Sequence, residues 1–113
     1  MSRDSRVYLE DILGACTKIE TYVAGLESGA DGLGRHEMAL DAVIRNLEII
    51  GEAVKKLPDD VKAAQPDVDW RRIAGLRDIL IHAYFGIEPA IVIDVVKHKL
   101  GPLKAAVKAI LKP

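Results

Sequence analysis

Aromatic side chains are scarce in this chain of 113 residues, which holds one Trp, one Phe and three Tyr. Any core must therefore be filled by Leu, Ile, Val and Ala, and little is left over for stacking on nucleic-acid bases. A single cysteine, Cys16, excludes an internal disulfide and any paired-cysteine motif. It stands in a helically spaced apolar pattern, which suits a small core residue. No sign of charge dominates either, with 16 basic and 17 acidic residues. A global field drawing the chain to nucleic acid or membrane is thereby excluded, though a local patch is not. No apolar run is long enough to span a bilayer. The opening "MSRDSRVYLE" lacks the apolar stretch of a signal peptide. The expectation is one soluble, cytoplasmic domain over residues 1–113 with no membrane partner.

Several chemistries are missing as well. There is no H-E-x-x-H zinc site. The glycines of "GADGLGRHE" follow a helical pattern rather than a strand, which argues against a nucleotide loop. His36 and His98 stand alone and read as ordinary histidines.

What the sequence does have is helical periodicity almost throughout. A first segment carries Val7, Leu9, Ile12, Leu13, Cys16, Ile19, Val23 and Leu26, with Asp4 or Ser5 as a possible cap. "ESGADGLG" then reads as a loop. In the second segment Leu40, Val43, Leu47, Ile50, Val54 and Leu57 recur in steps of three and four, the seam of a bundle helix that Pro58 stops. "DDVKAAQPDVDW" reads as a connection with room for one short turn. Asp67 or Asp69 can cap a third helix, "WRRIAGLRDILIHAYF", which Gly86 would close. A fourth begins near Pro89, and Gly101 and Pro102 read as a break before a short fifth, "LKAAVKAI". The fold expected is an all-α antiparallel four-helix bundle with a short fifth C-terminal helix.

Within the third helix lies "RDILIHAYF", residues 77–85. Arg77 and Tyr84, seven apart, nearly share a helix face. Asp78 and His82, four apart, stack by one turn, and His82 lies about 140° around from Arg77. Ile79, Leu80, Ile81 and Phe85 remain for packing. Such a group suits metal-free RNA cleavage. A base activates the ribose 2′-hydroxyl, an acid protonates the leaving oxygen, and a cation steadies the charge at phosphorus. As a residue type, histidine suits proton transfer near neutrality, which recommends His82, and Arg77 is a permanent forked donor for phosphate. The bland alternative is a helix-end histidine with surface charges beside it, and spacing alone favours that alternative.

The segment nevertheless resembles the signature Arg, four residues, His, any residue, Tyr of the HEPN superfamily, met here by Arg77, His82 and Tyr84. "YLEDIL", "VIRNLEIIGEAVKKLP" and "DWRRIAGLRDILIHAYFGIE" extend the likeness to the HepT-like subgroup over nearly the whole chain. The resemblance implies a homodimeric, HEPN-like helical bundle with paired motifs lining a shared cleft. It also implies a metal-independent ribonuclease toxin of a type VII toxin–antitoxin system, with RNA as substrate. Arg77 and His82 would carry the reaction and Asp78 would support them. Tyr84 would accept AMP from a minimal nucleotidyltransferase antitoxin. The ATP is the partner's, so no cofactor is expected on this chain. Arg45, Glu48 and Glu52 of the second helix are candidates to line the cleft. Another possibility is a non-catalytic dimer of the same fold that binds and regulates the transferase. "HKLGPL" departs from the family pattern by a glycine before the proline, away from the motif.

Overall fold

The computed structural model describes residues 1–83 and 86–112. Among these the chain forms seven helices. They are α1 (Arg3–Ala24), a 3-10 helix η1 (Gly29–Arg35), α2 (Glu37–Lys56), α3 (Asp59–Ala63), α4 (Trp70–Ile81), α5 (Pro89–His98) and α6 (Leu100–Leu111).

This all-α arrangement corrects the expected four-helix bundle with a short fifth helix. Three local causes account for the difference. The glycine-rich stretch after α1 winds into η1, which buries Leu33 completely. The connection after Pro58 forms α3, whose Val61 is buried. The "GP" at 101–102 starts α6 instead of breaking the chain: Pro102 is the third residue of that helix, where a backbone N–H has no intrahelical acceptor to lose. The final helix thus has 12 residues against 10 in α5 and is not short.

Each helix start has a local reason. Ser2, rather than Asp4 or Ser5, caps α1: its hydroxyl accepts from the Ser5 N–H at 3.1 Å. His36 caps α2, its Nδ1 accepting from the Ala39 N–H at 3.2 Å. Asp69 caps α4 by accepting from the Arg72 N–H at 3.1 Å. Pro89 occupies the first position of α5, where its fixed φ favours helix entry.

The core is aliphatic. Leu9, Ile12, Cys16 and Ile19 of α1 meet Val43, Leu47, Ile50 and Val54 of α2 in one cluster that Val92, Leu103 and Val107 complete. Full burial of each such Leu or Ile side chain stabilises the fold by roughly 1.5–3 kcal/mol. Helix α2 is the spine, packing on α1 along one side and on α4 along another, while α6 lies against α1. Lys104 of α6 and Glu20 of α1 close that last contact with a 2.6 Å ion pair. Trp70 anchors the start of α4. It is buried, and its indole N–H is shared between the carbonyls of Lys62 and Gln65, each at 3.0 Å.

No helix among the described residues is long and apolar enough to cross a membrane.

Candidate active site

Helix α4 is only lightly held. Trp70 and Leu80 are its buried residues, and its substantial helical partner is α2. The sequence assigned Ile79, Leu80, Ile81 and Phe85 to packing. Leu80 is buried, but Ile79 and Ile81 are exposed, and Phe85 lies outside the described residues. The helix also stops earlier than the apolar pattern suggested. Its last residue is Ile81, and His82 is its C-cap.

Arg77 sits where α4 presses on α2, with its side chain about one-third exposed. Its Nε is paired with Glu52 Oε2 at 2.5 Å, and its Nη1 donates to Asp78 Oδ1 at 3.4 Å. Glu52 also holds Lys56 at 3.5 Å through its other oxygen. A guanidinium carries five N–H donors in a fixed fork. Glu52 and Asp78 engage one side and one arm of it, which fixes its plane and leaves the outer donors for an oxyanion.

Arg77 thereby joins a cleft of about 270 Å³ between α1, α2 and α4. Arg45, Glu48 and Glu52 line it, together with Lys56 and with Tyr8 and Asp11 of α1. Three bases (Arg45, Lys56, Arg77) face three acids (Asp11, Glu48, Glu52), so the cleft of one protomer carries no formal excess charge. Lys56 Nζ stands 5.7 Å from the centre of the Tyr8 ring, within cation–π range.

His82 is not among the residues lining that cleft. Its imidazole turns back on its own helix: Nδ1 lies 2.7 Å from the main-chain oxygen of Asp78. A carbonyl oxygen only accepts, so Nδ1 carries the hydrogen. In the neutral ring the lone pair then resides on Nε2, which is thus the nitrogen equipped to take a proton and later return it. The Asp78–His82 stacking read from the sequence is real but is made by the backbone carbonyl. The Asp78 carboxylate instead turns to Arg77. Tyr84 lies outside the described residues.

A larger groove of about 880 Å³ opens between α4, α5 and α6, lined chiefly by aliphatic side chains such as Ile73, Leu76, Ile91 and Val95. Its Asp69 and Arg72 are paired with each other at 3.6 Å. The smaller cleft is the better chemical candidate, because it gathers five other charged groups around a held arginine. Among the described residues, no group of three or more His, Cys, Asp or Glu could hold a metal ion. Cys16 is no nucleophile: burial pushes its thiol up to about 11, with Glu20 adding to the rise and Lys104 opposing it.

Spacing does not single out Tyr8, Asp11 or Lys56 as cleft residues, since they reach it only through helix packing. Gly51 did carry a signal, as an isolated glycine inside a strong helical pattern.

The chain is also similar in sequence to known proteins. The "Ribonuclease HepT-like" family matches residues 12–110. The "Probable ribonuclease HepT" of Thermococcus cleftensis is 39% identical over 112 residues, covering 99% of this chain and 100% of that protein. A candidate RNase of Caldanaerobacter subterraneus subsp. tengcongensis is 38% identical over 107 residues, or 95% of this chain and 94% of its own. Another, from Methanocaldococcus jannaschii, is 42% identical over 98 residues, or 87% and 79%. No solved structure matches. Alike in sequence along almost its whole length, the chain belongs to the HepT-like ribonuclease family.

Proposed function

We propose that this chain is the ribonuclease toxin of a toxin–antitoxin pair, cutting RNA without a metal, with Arg77 and His82 as its reacting groups. Family membership supports the reaction class. The observation that carries the assignment of residues is the hold on Arg77: its guanidinium is fixed by Glu52 and Asp78 at a cleft, with outer donors left for phosphate.

The 2′-oxygen of a ribose attacks the adjacent phosphorus as a base takes its proton. The bond from phosphorus to the 5′-oxygen breaks, and that oxygen leaves with a proton from an acid. The products are a cyclic phosphate and a 5′-hydroxyl. Nε2 of His82 suits either proton transfer, and Arg77 faces the charge that develops on the phosphorane oxygens. One histidine serves one transfer at a time. A homodimer that brings two motifs to one groove supplies both and presents two arginines to the phosphate. Asp78 supports Arg77. Tyr84 is the acceptor of AMP from a nucleotidyltransferase antitoxin, which would add bulk and negative charge near the motif arginine and silence the toxin.

The test is cleavage of structured and unstructured RNA in EDTA, with His82→Ala alongside. The wild type should yield cyclic-phosphate or 3′-phosphate ends, and the variant should lose roughly 100-fold or more in rate. Equal rates would remove His82 from the mechanism. A wild type inactive on every RNA would favour a non-catalytic dimer that binds the transferase.

A further inference from the structure

Helix α2 meets α4 at one point with no side chain between them. A Cβ placed on Gly51 would lie 2.9 Å from the Cβ of Arg77, 3.0 Å from its backbone nitrogen and 3.3 Å from the carbonyl oxygen of Ile73. Two of these three neighbours are backbone atoms, so no side-chain rotation relieves the clash. Any larger residue at 51 must push the helices apart. The next residue along α2 is Glu52, whose carboxylate takes the Nε of the same Arg77.

We propose that Gly51 and Glu52 form a bearing that positions Arg77 for the phosphate: the glycine sets how deep its backbone sits against α2, and the glutamate fixes the plane of its guanidinium. Both act through Arg77 rather than on the phosphate, so both are positioning residues, and the inference rests on the ribonuclease reading above. Two independent constraints act on one side chain, at its Cα end and at its head. Arg77 has a long flexible stem whose loss of rotamer freedom would otherwise fall on the binding of RNA. The bearing settles that cost during folding. Lys56, held by the other oxygen of Glu52, steadies the carboxylate in turn.

The distinguishing consequence concerns rate rather than affinity. Removing Glu52 takes a negative charge away from an anion site, so RNA should bind no worse. The freed guanidinium should nonetheless be misplaced in the transition state. Misplacement of about 1 Å costs on the order of 100-fold in rate. Glu52→Ala should therefore lower kcat roughly 10- to 100-fold with KM unchanged or reduced. Glu52→Gln keeps an acceptor oxygen for Nε and should recover most of that loss. Gly51→Ala should fall with Glu52→Ala if it folds; if it does not, the Glu52 pair of variants carries the test alone.

A second readout needs no cleavage. In the wild type the Arg77 Hε proton should give a sharp, slowly exchanging NMR signal, kept in Glu52→Gln and lost to solvent exchange in Glu52→Ala. An Hε signal indifferent to Glu52→Ala would overturn the bearing. So would a raised KM at constant kcat, or equal losses in the Gln and Ala variants, which would make the charge of Glu52 the active quantity. A wild type that cuts no RNA would refute only the ribonuclease reading, and the Hε signal would still decide whether Arg77 is held.

Discussion

Nδ1 of His82 lies 2.7 Å from the backbone oxygen of Asp78, while the carboxylate of Asp78 turns to Arg77. The two polar residues of the motif are thus coupled through main chain. This separates their roles more cleanly than one-turn spacing suggests: the carbonyl sets the histidine tautomer, and the carboxylate serves the arginine.

Asp78→Asn leaves the carbonyl in place. The shape of the pH–rate profile should therefore be kept, while the rate falls no more than about 5-fold, the equivalent of the ~1 kcal/mol that an exposed ion pair carries. His82→Asn retains an amide that can reach the same oxygen but offers no titratable Nε2. It should fold as the wild type does and be inactive. A displaced pH profile in Asp78→Asn would show that the carboxylate acts on His82 after all.

Trp70→Phe removes the donor shared by the Lys62 and Gln65 carbonyls and shrinks the plug at the foot of α4. Those carbonyls keep backbone partners, since Gln65 N–H donates to Lys62 and Val68 N–H to Gln65. The expected cost is therefore about 1–2 kcal/mol, read by urea unfolding followed by circular dichroism. Cleavage below the unfolding transition should persist. A loss of activity without a loss of stability would move Trp70 from anchor to site.

Cys16 has its thiol raised from an ordinary 9.0 to about 11 by burial. The folded state thus holds a proton that the unfolded chain releases first. Stability from this source is complete below pH 9, falls as pH rises toward 11, and is gone beyond that. Unfolding midpoints measured from pH 8 to 11 should decline more in the wild type than in Cys16→Ala. In native protein at pH 8 the thiol should resist alkylation, and rapid labelling there would contradict its burial.

Tyr84 is testable by mass. Incubated with a nucleotidyltransferase antitoxin of the proposed kind and ATP, the protein should gain AMP and lose cleavage, and Tyr84→Phe should gain none. An adduct surviving in that variant would place the modification elsewhere. An unmodified but silenced toxin would point to inhibition by binding alone.

The second helix was the most readable part of the chain. Its steps of three and four mark a single buried stripe, and Val43, Leu47, Ile50, Val54 and Leu57 are all buried. The start of α4 was legible for the same kind of reason, because an Asp cap is a local interaction. The end of α4 was not. Ile79 and Ile81 look like core by composition yet face outward, so the apolar run says nothing about where the helix stops. Pro102 misled because a proline is a breaker only beyond the first turn. At the site, the arginine and histidine could be picked from their motif, and Glu52 could be named as a neighbour. The pairing of Glu52 with Arg77 could not be seen, since they lie on different helices and no spacing rule joins them. Gly51 has no reason within its own helix, and the opposing helix supplies one.

The pairing of α6 with α1 sets an order of assembly. Lys104 and Glu20 stand 84 residues apart, so their contact closes nearly the whole chain into a loop, the slow kind of step. The seat of Arg77 needs only α2 and α4, joined by the short α3 connection. A chain growing from the ribosome can build that seat while one flank of α1 still awaits its cover. Cys16 lies on α1, within the electrostatic reach of Lys104. Labelling of its thiol during refolding should therefore slow as the helices around α1 close over it.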